Sequence, residues 1–150
     1  MPVVIRGIQS SDTKRLSEIE EASFSRPWSE ESFKELLTID YARYLVAEED
    51  GEVVGSAGMR IIAGEGNIDN VVVDEKNRNR GIAGMLIDEL IKLGESEGVY
   101  DYTLEVRVSN AAAIKVYERA GFKGEGVRPH FYEDPTEDAL IMWRRGNEIR

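Results

Sequence analysis

The sequence predicts an α/β fold of the mixed α+β kind, with one domain over residues 1–150, a mixed and mostly antiparallel sheet, and about four helices. The chain has 150 residues, of which 41% are hydrophobic, as in a single domain with its own core. Segments with the alternation of strands are interspersed with segments of helical periodicity. A strand, helix, strand succession lies mid-chain, and such a crossover joins parallel strands. We therefore expect one parallel pair, formed by the fourth and fifth strands.

The first half of the chain predicts one strand, two helices and three further strands. The strand VVIRGI is followed by candidate helix caps at 10–12 and by apolar helical periodicity over 16–24. Pro27 interrupts this helix, and a second one is expected over 29–37. Asp50-Gly51 is a strong hairpin signal between two alternating strands. A turn at 64–66 then leads into a strand that ends near Asp74.

The second half predicts a buried helix, a strand, a second helix and two final strands. From Gly81 the apolar residues recur with the period of a helix, and Gly98 is expected to end it. YDYTLEVRV alternates like a strand, and NAAAIKVYERA predicts a helix that stops at Gly121. The last two strands are expected on either side of a loop at 133–136. The predicted apolar stripe of the first helix comprises Ile82, Met85, Leu86, Leu90 and Leu93, widened by Ile87 and Ile91.

Composition excludes several functional classes. The chain has 19 basic and 29 acidic residues, a net charge of −10, whereas a nucleic-acid groove needs a surplus of Lys and Arg. It has no cysteine, so disulfides and thiolate nucleophiles are excluded. The lone His130 is expected to be a surface or loop residue rather than a metal ligand, so no metal site is predicted. No signal peptide or membrane span is evident, and a cytoplasmic location is expected.

The stretch NRNRGIAG, residues 77–84, stands where a strand is expected to become a helix. Helix N-termini expose unpaired N–H groups with partial positive charge, and glycine lets a backbone approach a ligand closely. Together these features favour a phosphate-binding turn. The spacing matches neither the phosphate-binding loop of nucleotide hydrolases nor a dinucleotide fingerprint. The alternative is a tight connection that carries surface arginines.

Three polar residues around the following strand and helix are candidates for chemistry. Glu105 is expected on the strand face opposite Leu104, Val106 and Val108. Asn110 and Tyr117 are seven residues apart, so they lie on one side of the helix. Each residue also has a purely structural alternative. These are a cross-strand partner of a lysine for Glu105, core packing for Tyr117, and a helix cap for Asn110.

Two segments of the chain resemble a known family. The pattern Arg78-x-x-Gly81-x-Ala83 after VVVD resembles the acetyl-CoA signature of the GNAT acetyltransferases. LEVRVSNAAAIKVYERAGF resembles the N-terminal protein acetyltransferases of the ribosomal-protein-alanine type nearly residue for residue, and the predicted order of elements resembles their fold over all 150 residues. The resemblance implies that the parallel pair formed by the fourth and fifth strands is splayed to hold acetyl-CoA. It also implies transfer of the acetyl group to a protein N-terminus by direct attack on the thioester, without a metal.

The resemblance also assigns roles to residues. Glu105 is expected to deprotonate the amine, directly or through a water, and Tyr117 to give a proton or a hydrogen bond to the departing thiolate. A backbone N–H near Val72 or Val73 is expected to stabilise charge on the thioester oxygen. The residues implied to bind the cofactor are Val71, Val72, Val73, Arg78, Asn79, Arg80, Gly81, Ile82, Ala83, Gly84, Asn110 and Tyr117.

The acceptor peptide is expected between the loop joining the first two helices and the loop before the last strand. Phe24, Pro27, Trp28 and Tyr132 are the candidate acceptor residues, although Phe24 and Trp28 equally fit a hydrophobic staple between helices. Two positions depart from the family. Phe131 replaces the first of two adjacent tyrosines, and Arg26 replaces an aromatic residue before Pro-Trp. Both departures weaken an expectation of narrow ribosomal-protein specificity.

Other functions stay open on sequence grounds. The same fold acetylates lysine side chains or small-molecule amines, and a non-catalytic module that binds acyl-CoA is a further alternative. The presence of both Glu105 and Tyr117 disfavours the pure binding module. The expected partner is a protein or peptide N-terminus, with no nucleic acid and no membrane, and the chain is expected to be a monomer or weak homodimer.

Overall fold

The computed structural model describes residues 2–149 and confirms the predicted order of elements. Two 3₁₀ turns, at Ser10–Asp12 and Glu75–Asn77, and a short C-terminal helix add to the expected set. The strands are β1 (Val3–Gly7), β2 (Ala42–Glu49), β3 (Glu52–Ile62), β4 (Glu65–Val73), β5 (Asp101–Arg107), β6 (Lys123–Tyr132) and β7 (Glu137–Arg144). The helices are α1 (Thr13–Ser23), α2 (Glu30–Leu36), α3 (Ile82–Ser96), α4 (Ala111–Arg119) and α5 (Gly146–Ile149).

All seven strands form one mixed sheet in the order β1-β2-β3-β4-β5-β7-β6. Every neighbouring pair is antiparallel except β4 and β5, which are parallel as predicted. The parallel ladder is short, because it pairs only Glu65–Asn67 with Asp101–Thr103. β7 lies between β5 and β6, so the final hairpin folds back against β5. The two parallel strands therefore separate after three paired residues.

Tyr102 anchors the paired end of β4 and β5. Its ring is fully buried, and its hydroxyl lies 3.0 Å from the carbonyl oxygens of both Ile91 and Val99. A Cβ at Gly66 would lie 2.6 Å from the Tyr102 ring, and one at Gly94 would lie 2.3 Å from its hydroxyl. The two glycines leave the space in which one tyrosine joins β4, β5 and α3.

The helices cover both faces of the sheet. α3 and α4 lie over the larger hydrophobic cluster, which includes Leu86, Leu90 and Phe122. α1 and α2 lie over a smaller cluster, which includes Leu16 and Phe33. The side chains of β4 alternate between the two: Val72 packs in the smaller cluster, and Val71 and Val73 pack against the larger one.

Some burial predictions were wrong. Met85, assigned to the apolar stripe of α3, is 37% exposed, because the buried face of the helix is centred on Ile82, Leu86 and Leu90. Val108 is exposed because β5 ends one residue before it. Thr103, for which no burial was predicted, is buried and donates its hydroxyl to the Met142 carbonyl at 3.1 Å.

Glu20 is a carboxylate on α1 that is fully buried. Its Oε1 accepts a hydrogen bond from the Trp28 N–H at 3.0 Å, whereas its Oε2 has no hydrogen-bond partner among the described residues. Burial raises the pKa of Glu20 to about 7, and this effect outweighs the Trp28 N–H and the nearby Asn70 amide, which lower it. The folded state therefore holds a proton on Glu20 more tightly than the unfolded chain does.

This pKa predicts how stability depends on pH. An acid whose pKa is raised on folding contributes its full stability below the unfolded value of about 4.5, and that contribution is lost as pH rises through about 7. Glu20→Gln cannot ionise, so we expect it to be more stable than wild type at pH 8 by about 3 kcal/mol. The two proteins should be nearly equal at pH 4. Urea unfolding at both pH values measures the difference.

Glu21→Gln is the matched control, because Glu21 is the exposed neighbour on the same helix. The control should track wild type at both pH values. A Glu20→Gln variant that is less stable than wild type at pH 8 would contradict the proposed cost of ionising Glu20.

Candidate active site

A cleft of about 750 Å³ opens where β4 and β5 separate. One wall is the stretch 68–71 of β4, directly after the last paired residue Asn67. The opposite wall is the stretch 104–107 of β5, directly after Thr103. The volume lies within the range of ordinary small-molecule sites. The end of the short parallel ladder therefore creates the cleft.

A bulge in β4 shapes the first wall. The register between β3 and β4 shifts between Ser56 and Gly58, and Asn70 adopts a left-handed conformation with φ of +56°. Its amide donates to the Tyr44 hydroxyl at 3.2 Å. Asp69, the residue before it, also lines the cleft, and burial raises the pKa of its carboxyl. The bulge brings two polar residues to the cleft that sequence patterns did not identify.

Glu105 and Tyr117 line the cleft from consecutive elements, β5 and α4. Glu105 is half-buried, and its carboxylate lies 3.7 Å from the Arg128 guanidinium, beyond hydrogen-bond distance. Within residues 2–149 its oxygens accept no hydrogen bond, so they can accept one from another donor. Tyr117 is 8% exposed, and burial raises the pKa of its hydroxyl well above the usual value. The phenol is therefore protonated at neutral pH.

Asn110 caps α4 and lies at the cleft. Its Oδ1 accepts a hydrogen bond from the Ala113 N–H at 3.2 Å, which caps the first turn of α4. The residue also lines the cleft. The cap therefore fixes Asn110 at the rim of the cleft, at the start of the helix that carries Tyr117.

The turn before α3 has the geometry of an anion-binding helix start. Gly81 precedes the first helical residue and has φ of +80°, a conformation that favours glycine. A Cβ at Gly81 or Gly84 would meet no atom within 4 Å, so both positions face open space. No side chain caps this helix end. Space and unpaired N–H groups therefore coincide at the start of α3.

The two arginines of the turn hold it in place. Arg78 donates from Nε to the Val73 carbonyl at 3.0 Å and from Nη2 to the Ser23 hydroxyl at 3.1 Å. Arg80 forms a bidentate ion pair with Glu49 of β2 and lowers the pKa of that carboxyl. Since Ser23 lines the cleft, the turn lies beside it. The guanidinium groups thus fasten the turn to β4, α1 and β2.

The end of β4 offers a backbone donor. The Asp74 N–H donates to the Val54 carbonyl at 2.8 Å, toward β3. Because strand residues alternate in direction, the Val72 N–H also points toward β3 and the Val73 N–H points away from it, toward the side of β5. Of the two backbone donors proposed from sequence, Val73 has the suitable direction.

Two loops bound the other end of the cleft. Phe24 and Trp28 line it from the segment between α1 and α2, and the Trp28 ring packs on Phe33 and Tyr44 with centroids 5.5 and 6.3 Å apart. Tyr132 lines it from the end of β6, beneath the Arg107 guanidinium at 4.5 Å. Trp28 thus lines the cleft and packs against α2 at the same time.

Arg26 bridges these two loops. Its Nε donates to Asp134 at 2.7 Å, and its Nη2 lies 2.7 Å from Glu133. Arg107 holds the same loop from below, through the carbonyl oxygens of Glu133 and Pro135 at 3.1 and 3.0 Å. Arg26 therefore forms a charged contact between the two loops beside the cleft.

Most of the residues proposed from sequence lie at the cleft or at the turn. The cleft is lined by Phe24, Trp28, Val71, Glu105, Asn110, Tyr117 and Tyr132. Pro27 is exposed and does not line it, and Ile82 and Val72 are buried in the core, where only their backbone groups could contact a ligand. Sequence reasoning missed Asp69, Asn70 and Arg107, which the bulge and the β5–β7 pairing bring to the cleft.

Solved structures share this fold over nearly the whole chain. The ribosomal-protein-S18-alanine N-acetyltransferase of Escherichia coli superposes with a TM-score of 0.87 at 30% identity, covering 96% of this chain and 94% of that one. PaiA N-acetyltransferase of Thermoplasma acidophilum, solved in complex with coenzyme A, shares the fold with a TM-score of 0.81 at 19% identity. That comparison covers 97% of this chain and 99% of that one. The fold is therefore that of the N-acetyltransferases.

Sequence comparison identifies the family. Residues 13–122 match the acetyltransferase (GNAT) family, and the chain belongs to that family. It is 37% identical over 145 residues to a putative ribosomal protein bS18-alanine N-acetyltransferase of Bacillus subtilis, covering 96% of both chains. It is 32% identical over 149 residues to the N-alpha-acetyltransferase RimI of Mycobacterium tuberculosis, covering 95% of this chain and 92% of that one. The chain is thus a transferase of the RimI-like group.

Residues 2–149 lack two other kinds of feature. No helix in this part of the chain is long and apolar enough to cross a membrane. Within the same residues, no three His, Asp or Glu side chains are arranged to hold a metal ion.

Proposed function

We propose that this protein transfers the acetyl group of acetyl-CoA to the N-terminal α-amino group of proteins, with residues 1–150 acting as one catalytic domain. One observation carries the proposal: Glu105 and Tyr117, a carboxylate with open oxygens and a protonated phenol, line the same cleft between the separating strands. The names of the similar proteins from B. subtilis and M. tuberculosis support it.

The residues at the turn fit the coenzyme. Gly81 and Gly84 face open space, and the start of α3 supplies N–H groups for the pyrophosphate. Val71 to Val73 would bind the pantetheine through backbone groups, and Asn110 lies where it can contact the cofactor. Arg78 and Arg80 contribute by holding the turn, since both already bind other parts of the chain. The complete proposed set is Val71–Val73, residues 78–84, Asn110 and Tyr117.

The chemistry follows from the two cleft residues. Acetyl-CoA supplies an acetyl thioester, and the acceptor must be a neutral amine. An α-amino group has a pKa of about 7.7–8.0, so Glu105 can take its proton directly or through a water. Tyr117 keeps its proton at neutral pH and can donate it to the departing sulfur. The Val73 N–H is the proposed donor to the thioester oxygen.

The acceptor is proposed to enter between the loops that carry Phe24, Trp28 and Tyr132. The similar proteins of B. subtilis and E. coli are named for the alanine of ribosomal protein bS18, so a peptide that begins with that alanine is the first candidate. Phe131 removes one tyrosine hydroxyl from this end, and Arg26 adds a bridge across the loops. These differences favour an acceptor range that is not restricted to one ribosomal protein.

The proposed activity is tested with purified protein, acetyl-CoA and four peptides that begin with Ala, Ser, Met-Leu and Met-Glu. A lysine-containing peptide with a blocked N-terminus is the control. We expect acetylation of the α-amine of at least the Ala peptide, detected by mass spectrometry, and no acetylation of the blocked peptide. Acetylation of the blocked peptide alone would contradict an N-terminal acceptor and favour the lysine alternative.

Loss of either the base or the acid should slow turnover, and loss of the base should leave cofactor binding intact. We expect Glu105→Gln and Tyr117→Phe each to lower kcat about 10²-fold, which is typical of losing one general acid or base. Calorimetry should give a Kd for acetyl-CoA within about twofold of wild type for Glu105→Gln, because Glu105 is proposed to contact the amine. Glu118→Gln, an exposed neighbour on α4, should behave as wild type. Unchanged turnover in Glu105→Gln would remove that residue from the mechanism.

Replacement of Gly81 should instead weaken cofactor binding. Gly81→Val fills the open space at the start of α3, and we expect the Kd for coenzyme A to rise about tenfold, the equivalent of one charge-assisted hydrogen bond. The control is Gly98→Val at the other end of α3, where φ is +84° and a Cβ also meets no atom. Both variants carry similar backbone strain, so equal affinities by calorimetry would argue against binding at the turn.

A further inference from the structure

Glu20 contacts both aromatic residues that α1 and its following loop bring to the cleft. Its backbone carbonyl accepts the Phe24 N–H at 2.9 Å, which ends α1. Its side-chain Oε1 accepts the Trp28 N–H at 3.0 Å. Phe24 and Trp28 both line the cleft. Glu20 therefore accepts hydrogen bonds from both ends of this loop, at Phe24 and at Trp28.

The side chain of Glu20 is an unfavourable choice for packing alone. It is fully buried, and its Oε2 has no hydrogen-bond partner among residues 2–149. A buried carboxylate with an unpaired oxygen costs free energy, and apolar residues of similar volume often replace such groups without loss of stability. The neighbouring buried positions of α1, Leu16 and Ile19, are apolar. Beyond packing, Glu20 provides an acceptor for the Trp28 N–H, and its carboxyl lies near the Asn70 amide, which lowers its pKa.

That acceptor matters because of where Trp28 lies. The residue follows Pro27, which has no N–H of its own, and precedes the cap of α2 at Ser29. Glu20 therefore supplies the contact that ties this bend to α1. On the other side, the indole packs against Phe33 and Tyr44. The hydrogen bond and the ring contacts together fix the position of the indole at the acceptor end of the cleft.

We propose that Glu20 is a positioning residue for the acceptor: by accepting the Trp28 N–H, it holds the indole in the wall against which the first residues of the acceptor pack. This inference rests on the proposed function, because it assigns the Trp28 end of the cleft to the acceptor. Glu20 itself is not proposed to contact the acceptor or acetyl-CoA. The residue acts through Trp28, so its loss should affect binding of the acceptor and leave the chemical step intact.

Two variants separate the hydrogen bond from the packing. Glu20→Met has a similar length and no acceptor oxygen, whereas Glu20→Gln keeps an oxygen for the Trp28 N–H. We expect Glu20→Met to raise the KM for the Ala peptide about tenfold, with kcat and the Kd for acetyl-CoA within about twofold of wild type. Glu20→Gln should restore the KM to within about threefold, since a neutral acceptor gives a weaker bond. Glu21→Met, on the exposed face of α1, is the matched control.

A structural role alone predicts a different pattern. Both Glu20 variants remove a buried charge, so both should melt at or above the wild-type temperature at pH 8. If Glu20 served packing alone, neither variant should change the KM for the peptide. Exchange of the Trp28 amide hydrogen, followed by NMR, is a readout independent of turnover. It should be slow in wild type and Glu20→Gln, and fast in Glu20→Met.

The outcomes distinguish the two proposals. If wild type acetylates an N-terminal peptide and Glu20→Met has an unchanged KM, the positioning role is overturned and the proposed function stands. A Glu20→Gln variant as impaired as Glu20→Met would overturn the role of the hydrogen bond. If wild type acetylates none of the N-terminal peptides, the proposed function fails, and the positioning role fails with it.

Discussion

The short parallel ladder between Glu65–Asn67 and Asp101–Thr103 determines where the cleft of this protein opens. Beyond it, β4 keeps its pairing with β3 and β5 keeps its pairing with β7, so the two strands follow different neighbours and separate. Tyr102 secures the closed end, because Gly66 and Gly94 leave room for its ring. The open end then exposes backbone groups of β4 that would otherwise be paired. A cleft between two rigid strands is therefore built into the pairing pattern itself.

Much of the fold could be predicted from local sequence. The turn at Asp50-Gly51, the cap at Ser29 and the glycines at 98 and 121 each act within a few residues, and the structure has the expected elements around them. The position of β7 between β5 and β6 depends on pairing between residues more than 30 positions apart, such as Glu105 with Ile141. No local pattern determines that choice. The extent of the β4–β5 ladder, and hence of the cleft, is likewise a property of the whole sheet.

The same distinction applies to the site. Glu105, Asn110 and Tyr117 lie close together in sequence on consecutive elements, so local spacing predicted their strand face and helix side, and all three line the cleft. Asp69 and Asn70 reach the cleft through a bulge that depends on the register with β3. Glu20 lies in the segment SEIEEAS, where three glutamates occur within four residues, and charge alone does not show which one is buried. Glu20 is the buried glutamate because of how α1 and α2 pack on the sheet.

At the proposed phosphate site before α3, the arginine side chains and the backbone N–H groups have different roles. Arg80 is neutralised by its bidentate pair with Glu49, and Arg78 is bound to a carbonyl and a hydroxyl. In a chain with a net charge of −10, the groups left to attract an anion there are chiefly the N–H groups at the start of α3. The arginines hold these N–H groups in place. The glycines leave the same N–H groups accessible. At the proposed phosphate site, the attraction for an anion would therefore come mainly from backbone N–H groups that the side chains hold in place.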